Sequence, residues 1–174
     1  MKHDRYFIEL VINLANKNVR EGGRPFACLI VNSTTGDILA AAANQVAQTG
    51  DPSAHAEILA INQASRILRE QNAAVDGKNG TPGEDMKGYT YYILNVPCTM
   101  CMTAMAYSGP DKIVYAAIRE DYSNYYRDDR RYFQMETLSA ATQLIIDKSQ
   151  LTVAHCPHPG AIEVYRLWQA MNHK

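Results

Sequence analysis

The chain has 174 residues, 47% hydrophobic and 20% charged, an ordinary balance for one folded domain with its own core. Its 17 basic and 18 acidic residues leave a net charge of −1, which does not suit a protein that holds nucleic acid by bulk charge. No apolar run approaches the ~18 residues of a membrane span. The start Met1-Lys2-His3-Asp4-Arg5 does not read as a signal peptide, and four cysteines are too few for a disulfide scaffold. A cytoplasmic protein, one domain over residues 1–174, is the expectation.

In chain order, Phe7, Leu10, Val11 and Leu14 recur at helical spacing and predict a helix over 4–18, ended by Gly22-Gly23. The apolar run 26–31, the turn residues 32–37 and the run 38–43 predict a hairpin. Asp51-Pro52-Ser53 is expected to open the next helix, with Asp51 or Ser53 as cap and Pro52 in its first turn, running to about Arg69. Residues 72–87, with three glycines and a proline, predict a long loop. Strand 89–96, helix 98–108 closed by Gly109-Pro110, and strand 112–118 follow. Residues 122–133 suggest a helix and 151–154 a strand. Ala161, Val164, Tyr165 and Trp168 mark an amphipathic C-terminal helix. Alternating strands and helices imply an α/β class, with a mixed sheet covered on both faces.

Two segments carry the chemistry: Asp51-Pro52-Ser53-Ala54-His55-Ala56-Glu57 and Pro97-Cys98-Thr99-Met100-Cys101. Cys98 and Cys101 stand three apart at a helix start, so both sulfurs share one face. The positive end of a helix favours thiolates. Two thiolates and the imidazole of His55 suit Zn²⁺, and three protein ligands leave the fourth position open, as in catalytic zinc sites. Bound zinc lowers the pKa of water to about 7. Glu57, in the same turn as His55, is placed to take that water's proton. Taken singly, each half has a plainer reading: Cys98-x-x-Cys101 as a redox pair or half a zinc ribbon, His55 as a cap, Glu57 as a helix-dipole carboxylate.

Together the halves read H-A-E…P-C-T-M-C, the known signature of zinc-dependent nucleobase deaminases. The chain resembles the cytidine deaminase-like superfamily from Phe26 to Ala117, and within it most closely the guanine deaminase and nucleoside deaminase branch. Pro25-Phe26-Ala27 is similar to that branch's Pro-Phe-Gly entry into the first strand. Asn44 matches an asparagine that holds the base. Asp128-Asp129 looks like the acidic pair of guanine deaminases, whose second member contacts the purine amino group.

The resemblance implies a three-layer α-β-α sandwich around a mixed five-stranded sheet. It also implies one Zn²⁺ per chain, with a bound water or hydroxide, held by His55, Cys98 and Cys101. Glu57 would be the catalytic acid and base. Phe26, Asn44, the Ala56 N–H and Asp129 would contact the substrate. The reaction would be hydrolytic deamination of a free purine base, guanine first, by a homodimer with no membrane or nucleic-acid partner.

The sequence departs from the family at Val96, where Glu is common before Pro-Cys, and at Ala27, where Gly is common. A tRNA adenosine deaminase shares the zinc motif and stays open, as do cytosine or another small aminated heterocycle as substrate, and a zinc-stabilised interaction module without catalysis. His155-Cys156-Pro157-His158 could form a second metal cluster, or lend Cys156 as a fourth ligand that closes the site. Asp128 and Asp129 also read as solvated members of a charge run. Cys28 reads as an inert core thiol, and the tyrosines from Tyr122 onward as a packing surface.

Overall fold

The central strands of the sheet turn alternate side chains to two opposite cores. On β1 (Ala27–Asn32), Ala27, Leu29 and Val31 face one core, and Cys28 and Ile30 the other. β3 (Tyr89–Asn95) divides Tyr92 and Leu94 from Tyr91 and Ile93 in the same way. Both faces are covered, so these strands read as continuous apolar runs rather than alternating ones. The computed structural model describes residues 2–76, 85–126, 140, 143–144, 146–147 and 151–172.

The first helix, α1 (Lys2–Arg20), lies against the sheet through Phe7, Ile8, Val11, Ala15 and Val19. It is longer than the spacing of its apolar residues predicts and stops at Gly22, whose φ of 85° favours glycine. β1 then forms a hairpin with β2 (Ile38–Ala43), through a turn in which the Asn32 side-chain oxygen accepts from the N–H groups of Thr34 and Thr35.

A short helix α2 (Val46–Thr49) leads to α3 (Ala56–Asp76). Here the structure corrects two expectations. α3 starts at Ala56, not at Asp51. Asp51 accepts from Ser53 N and Ser53 Oγ at 2.8 and 2.7 Å, and so stabilises the preceding turn instead of capping the helix. α3 also runs past Arg69 to Asp76, taking the first residues of the expected 72–87 loop. No Gly or Pro interrupts it before Gly77.

After β3 come α4 (Thr99–Ser108), closed by Gly109 at φ 64°, and β4 (Lys112–Ala117). In the segment expected to be a helix over 122–133, the described residues are helical only in the short α5 (Arg119–Tyr122). The backbone N–H of Ile118 donates to Asp121 there at 2.9 Å. Residues 127–133 lie outside the described residues. Leu144 and Ile146 take helical backbone. β5 (Thr152–His155) and α6 (Pro159–Asn172) complete the described chain.

The strand order is β2-β1-β3-β4-β5. β1 pairs antiparallel with β2 and β3; β3, β4 and β5 run parallel. α1, α5 and α6 supply one core; α3 and α4 supply the other. This is the expected three-layer sandwich around a mixed five-stranded sheet. Among the described residues no helix is long and apolar enough to cross a membrane.

Candidate metal centre and active site

Both motif segments end at helix starts on the same side of the sheet. The His55 carbonyl accepts from Leu59 N at 3.0 Å, and the Cys98 carbonyl from Met102 N at 2.8 Å. Each residue therefore stands just before its helix, where unpaired N–H groups and the helix dipole favour negative charge. Val96, the departure before Pro97-Cys98, keeps its strand role by donating its N–H to Ala117 O.

His55 Nδ1 lies 3.7 Å from Cys98 Sγ and 3.5 Å from Cys101 Sγ. The three ligand atoms all lie within 4.8 Å of one another. A tetrahedral zinc with Zn–S near 2.3 Å and Zn–N near 2.05 Å places S and N ~3.6 Å apart, which the observed distances match. One ring nitrogen has a single in-plane direction and cannot hydrogen-bond fully to two sulfurs at once. A metal between the three atoms satisfies all of them. The donor set fits zinc.

The side chains of the cluster act strongly on one another. A hydrogen bond from the Cys101 thiol, helped by His55, pulls Cys98 down to about 4. Cys101 is pushed far up because it gives that bond, and because it is buried beside Glu57. His55 is raised by its bond to Cys98. Burial raises Glu57, and the negative charge of Cys98 adds to it.

Glu57 stands in the first turn of α3, 8% exposed, in contact with the cluster. Ala56 is the first residue of α3 and buried. Its N–H is one of the four that no preceding helical turn can satisfy. Cys28 is fully buried on β1 and raised, first by burial and then by the charge of Glu57. It is the core thiol expected from sequence.

Asn44 is 1% exposed and held from three directions. Its N–H donates to Phe26 O at 3.0 Å, its carbonyl accepts from Asn18 Nδ2 at 2.9 Å, and its side-chain Oδ1 accepts from Val46 N at 3.0 Å. The side-chain acceptor is thus engaged within the fold, which leaves the NH₂ group to act as donor. The next residue, Gln45, donates its N–H to Ala54 O at 2.9 Å and ties this loop to the one carrying His55. Neither Gln45 nor Val46 stands out in the sequence as a site residue. The signal for Val46 was an Asn two residues ahead of a helix start. Phe26 is half-buried, edge-on to Tyr126 at 5.0 Å. Asp128 and Asp129 lie outside the described residues.

The second metal cluster does not form, and Cys156 is not a fourth ligand. Among the described residues only His55, Cys98 and Cys101 group as metal ligands. Cys156 packs against the α1 and α6 core, across the sheet from Cys101. His155 stacks on Tyr115, and His158 Nδ1 accepts from Gly160 N at the start of α6. Of the tyrosine-rich segment, Tyr122 and Tyr126 are buried core residues.

The sequence model of the cytidine and deoxycytidylate deaminase zinc-binding region matches residues 1–117. The guanine deaminase of Bacillus subtilis (strain 168) is 31% identical over 130 residues, 74% of this chain and 73% of its own length. The tRNA-specific adenosine deaminase of Aquifex aeolicus (strain VF5) is 30% identical over 113 residues, 65% of each chain, so the match spans just under two thirds of that relative. The solved guanine deaminase from Nitrosomonas europaea superposes with a TM-score of 0.68 at 26% identity, over 94% of this chain and 82% of its own. With His55, Cys98 and Cys101 placed to hold zinc, the chain belongs to the family of the cytidine and deoxycytidylate deaminase zinc-binding region and is a hydrolytic deaminase of cytidine deaminase-like fold.

Proposed function

We propose that this chain deaminates a free purine base, guanine in the first place, giving xanthine and ammonia. The observation that carries this reading is the buried Asn44 carboxamide, anchored through its oxygen beside the loop of His55 and offering its NH₂. A donor there suits the ring nitrogen and carbonyl acceptors of guanine. The guanine deaminase relatives match more of the chain than the tRNA deaminase does, and the near-neutral charge offers little to a phosphate backbone.

Zinc held by His55, Cys98 and Cys101 supplies the Lewis acid that makes water nucleophilic at neutral pH. Glu57 moves the protons. It takes one from the attacking water as oxygen bonds to the ring carbon, and gives it to the adjacent ring nitrogen. It then passes the water's second proton to the amine as the C–N bond breaks and ammonia leaves. The Ala56 N–H and Phe26 help hold the base, and Asp129 accepts from its exocyclic amine. We take the working unit to be a homodimer. α4 has no charged residue and leaves Met100 and Tyr107 exposed, the latter 89%, a surface that suits burial against a second copy.

The test is ammonia release from zinc-loaded protein offered guanine, adenine, cytosine, their nucleosides and tRNA. Guanine turnover is expected, and Glu57→Gln should lower kcat by about 10³-fold with zinc still bound. Turnover of tRNA alone, or of a pyrimidine alone, would overturn the substrate while keeping the chemistry.

A further inference from the structure

Asn18 sits near the end of α1, on the helix layer opposite α3 and α4. It is 2% exposed, a polar side chain within an apolar layer, and both its amide donors and its oxygen bond to segments that border the candidate site. Nδ2 donates to Arg24 O at 2.7 Å and Asn44 O at 2.9 Å. Oδ1 accepts from Gln48 Nε2 at 3.1 Å. Two carbonyls on one side fix the orientation of the amide, because only its NH₂ can face both. The Asn18 carbonyl also accepts from Glu21 N and Gly23 N.

One carboxamide thus joins three pieces of chain: the turn two residues before Phe26, the residue Asn44 itself, and α2 just beyond it. Gly23 makes room for it, since a Cβ there would overlap the Asn18 carboxamide. No other side-chain type of this size reproduces the pattern. Leu has the shape but no polar group. Asp would set a carboxylate against two carbonyl oxygens.

We infer that Asn18 is a positioning residue for substrate recognition, holding the Asn44 backbone so that the Asn44 carboxamide meets the base at a fixed place. This rests on the reading that Asn44 contacts the base. Loss of Asn18 would leave the buried Asn44 carbonyl without its donor and free the loop to shift. The effect belongs on binding, not on the metal or on Glu57, which other elements hold.

The experiment compares Asn18→Leu, Gly23→Ala and Gln48→Ala with wild type and with Asn44→Ala. Five quantities are read: kcat and KM for guanine, Kd for hypoxanthine (a purine without the 2-amine), zinc content, and thermal midpoint. Asn18→Leu is expected to raise KM and Kd about tenfold, with kcat within about threefold of wild type and one zinc retained. Gly23→Ala crowds the same amide without removing it and should shift KM in the same direction. Gln48→Ala removes a single bond from an exposed residue, so it keeps the fold and should raise KM by about two- to threefold.

Unchanged KM and Kd in the folded Gly23→Ala and Gln48→Ala variants, with both raised in Asn44→Ala, would overturn the inference. So would a fall in kcat together with zinc content. If Asn44→Ala itself leaves binding intact, the reading beneath it fails instead. Should wild type turn over another base, the same comparison is made with that base.

Discussion

The two cores on either side of the sheet are built from different side chains. The α1 and α6 side is bulky: Phe7, Ile8, Val11, Tyr92, Tyr122 and Tyr165. On the α3 and α4 side the strands still bring Ile30, Tyr91, Ile93 and Ile113, but the helices bring small or sulfur-bearing side chains: Ala56, Ala60, Ala64, Cys101, Met102 and Met105. Ala56, Ala60 and Ala64 recur every four residues and give α3 a smooth stripe toward the strands. Small side chains let a helix backbone come close, and here the helix start carries His55 and Glu57. The bulky side fills volume and anchors the sheet. The small side brings two helix starts together, and their converging dipoles favour the thiolates. The large side reaches across at Asn18 and Asn44.

This division can be broken most directly at the metal. Cys101→Ala should abolish stoichiometric zinc and lower turnover on the order of 10³-fold or more, read by metal analysis and ammonia release. Ile8→Ala is the matching change in the other core, where Ile8 is fully buried. It should cost ~2–5 kcal/mol in urea unfolding and leave zinc content and kcat as they were. A loss of zinc in Ile8→Ala would show that the two cores are not separable. Ala60→Leu sharpens the comparison. Crowding the smooth stripe should cost ~1–3 kcal/mol and also speed loss of zinc to a chelator, because α3 is pushed away with His55.

What could be read from the sequence follows the same divide. The zinc triad was legible because the chemistry demands particular residue types at short spacing, and Cys98, Cys101 and His55 do meet. The central strands β1 and β3 were legible because both their faces are apolar. The start of α3 was not. Asp51-Pro52-Ser53 has the composition of a cap, and the same atoms can make an Asx turn one step earlier, a choice that tertiary contacts decide. The end of α3 was missed because residues 70–76 have neither a breaker nor a clear apolar face. The support of Asn44 was invisible for a different reason. Asn18, 26 residues away in sequence, has no local signature, since its partners are two backbone carbonyls and the side chain of Gln48, 30 residues on. His155-Cys156-Pro157-His158 misled in the opposite sense: ligand-like residues sit close in sequence, yet the strand end sends Cys156 to one core and stacks His155 on Tyr115.

The smallest expected effect lies at the far end of the bulky side. Asp4 on α1 accepts from Tyr92 Oη at 2.9 Å and from Lys112 Nζ at 3.0 Å, which clasps the helix to β3 and β4. Burial alone would raise the Asp4 carboxyl, but the bonds from Lys112 and Tyr92 outweigh it and hold the group below its usual value of 3.8. A carboxyl depressed in the folded state adds stability that is complete above its unfolded pKa. That stability is lost as pH falls through the folded pKa. Asp4→Asn should therefore cost about 1–2 kcal/mol near pH 7 and progressively less below about pH 4, where wild type loses the same contribution. Tyr92 adds an alkaline limb. Burial and then Asp4 push its phenol up, so the bond persists to high pH and its contribution falls only above the phenol's unfolded pKa of about 10. Urea unfolding of wild type and Asp4→Asn across this range reads both limbs. A gap between the two proteins that does not narrow in acid would show that the clasp works through shape and not charge. Zinc content should be the same in both proteins at neutral pH, because the clasp and the metal-binding side chains belong to opposite faces of the sheet.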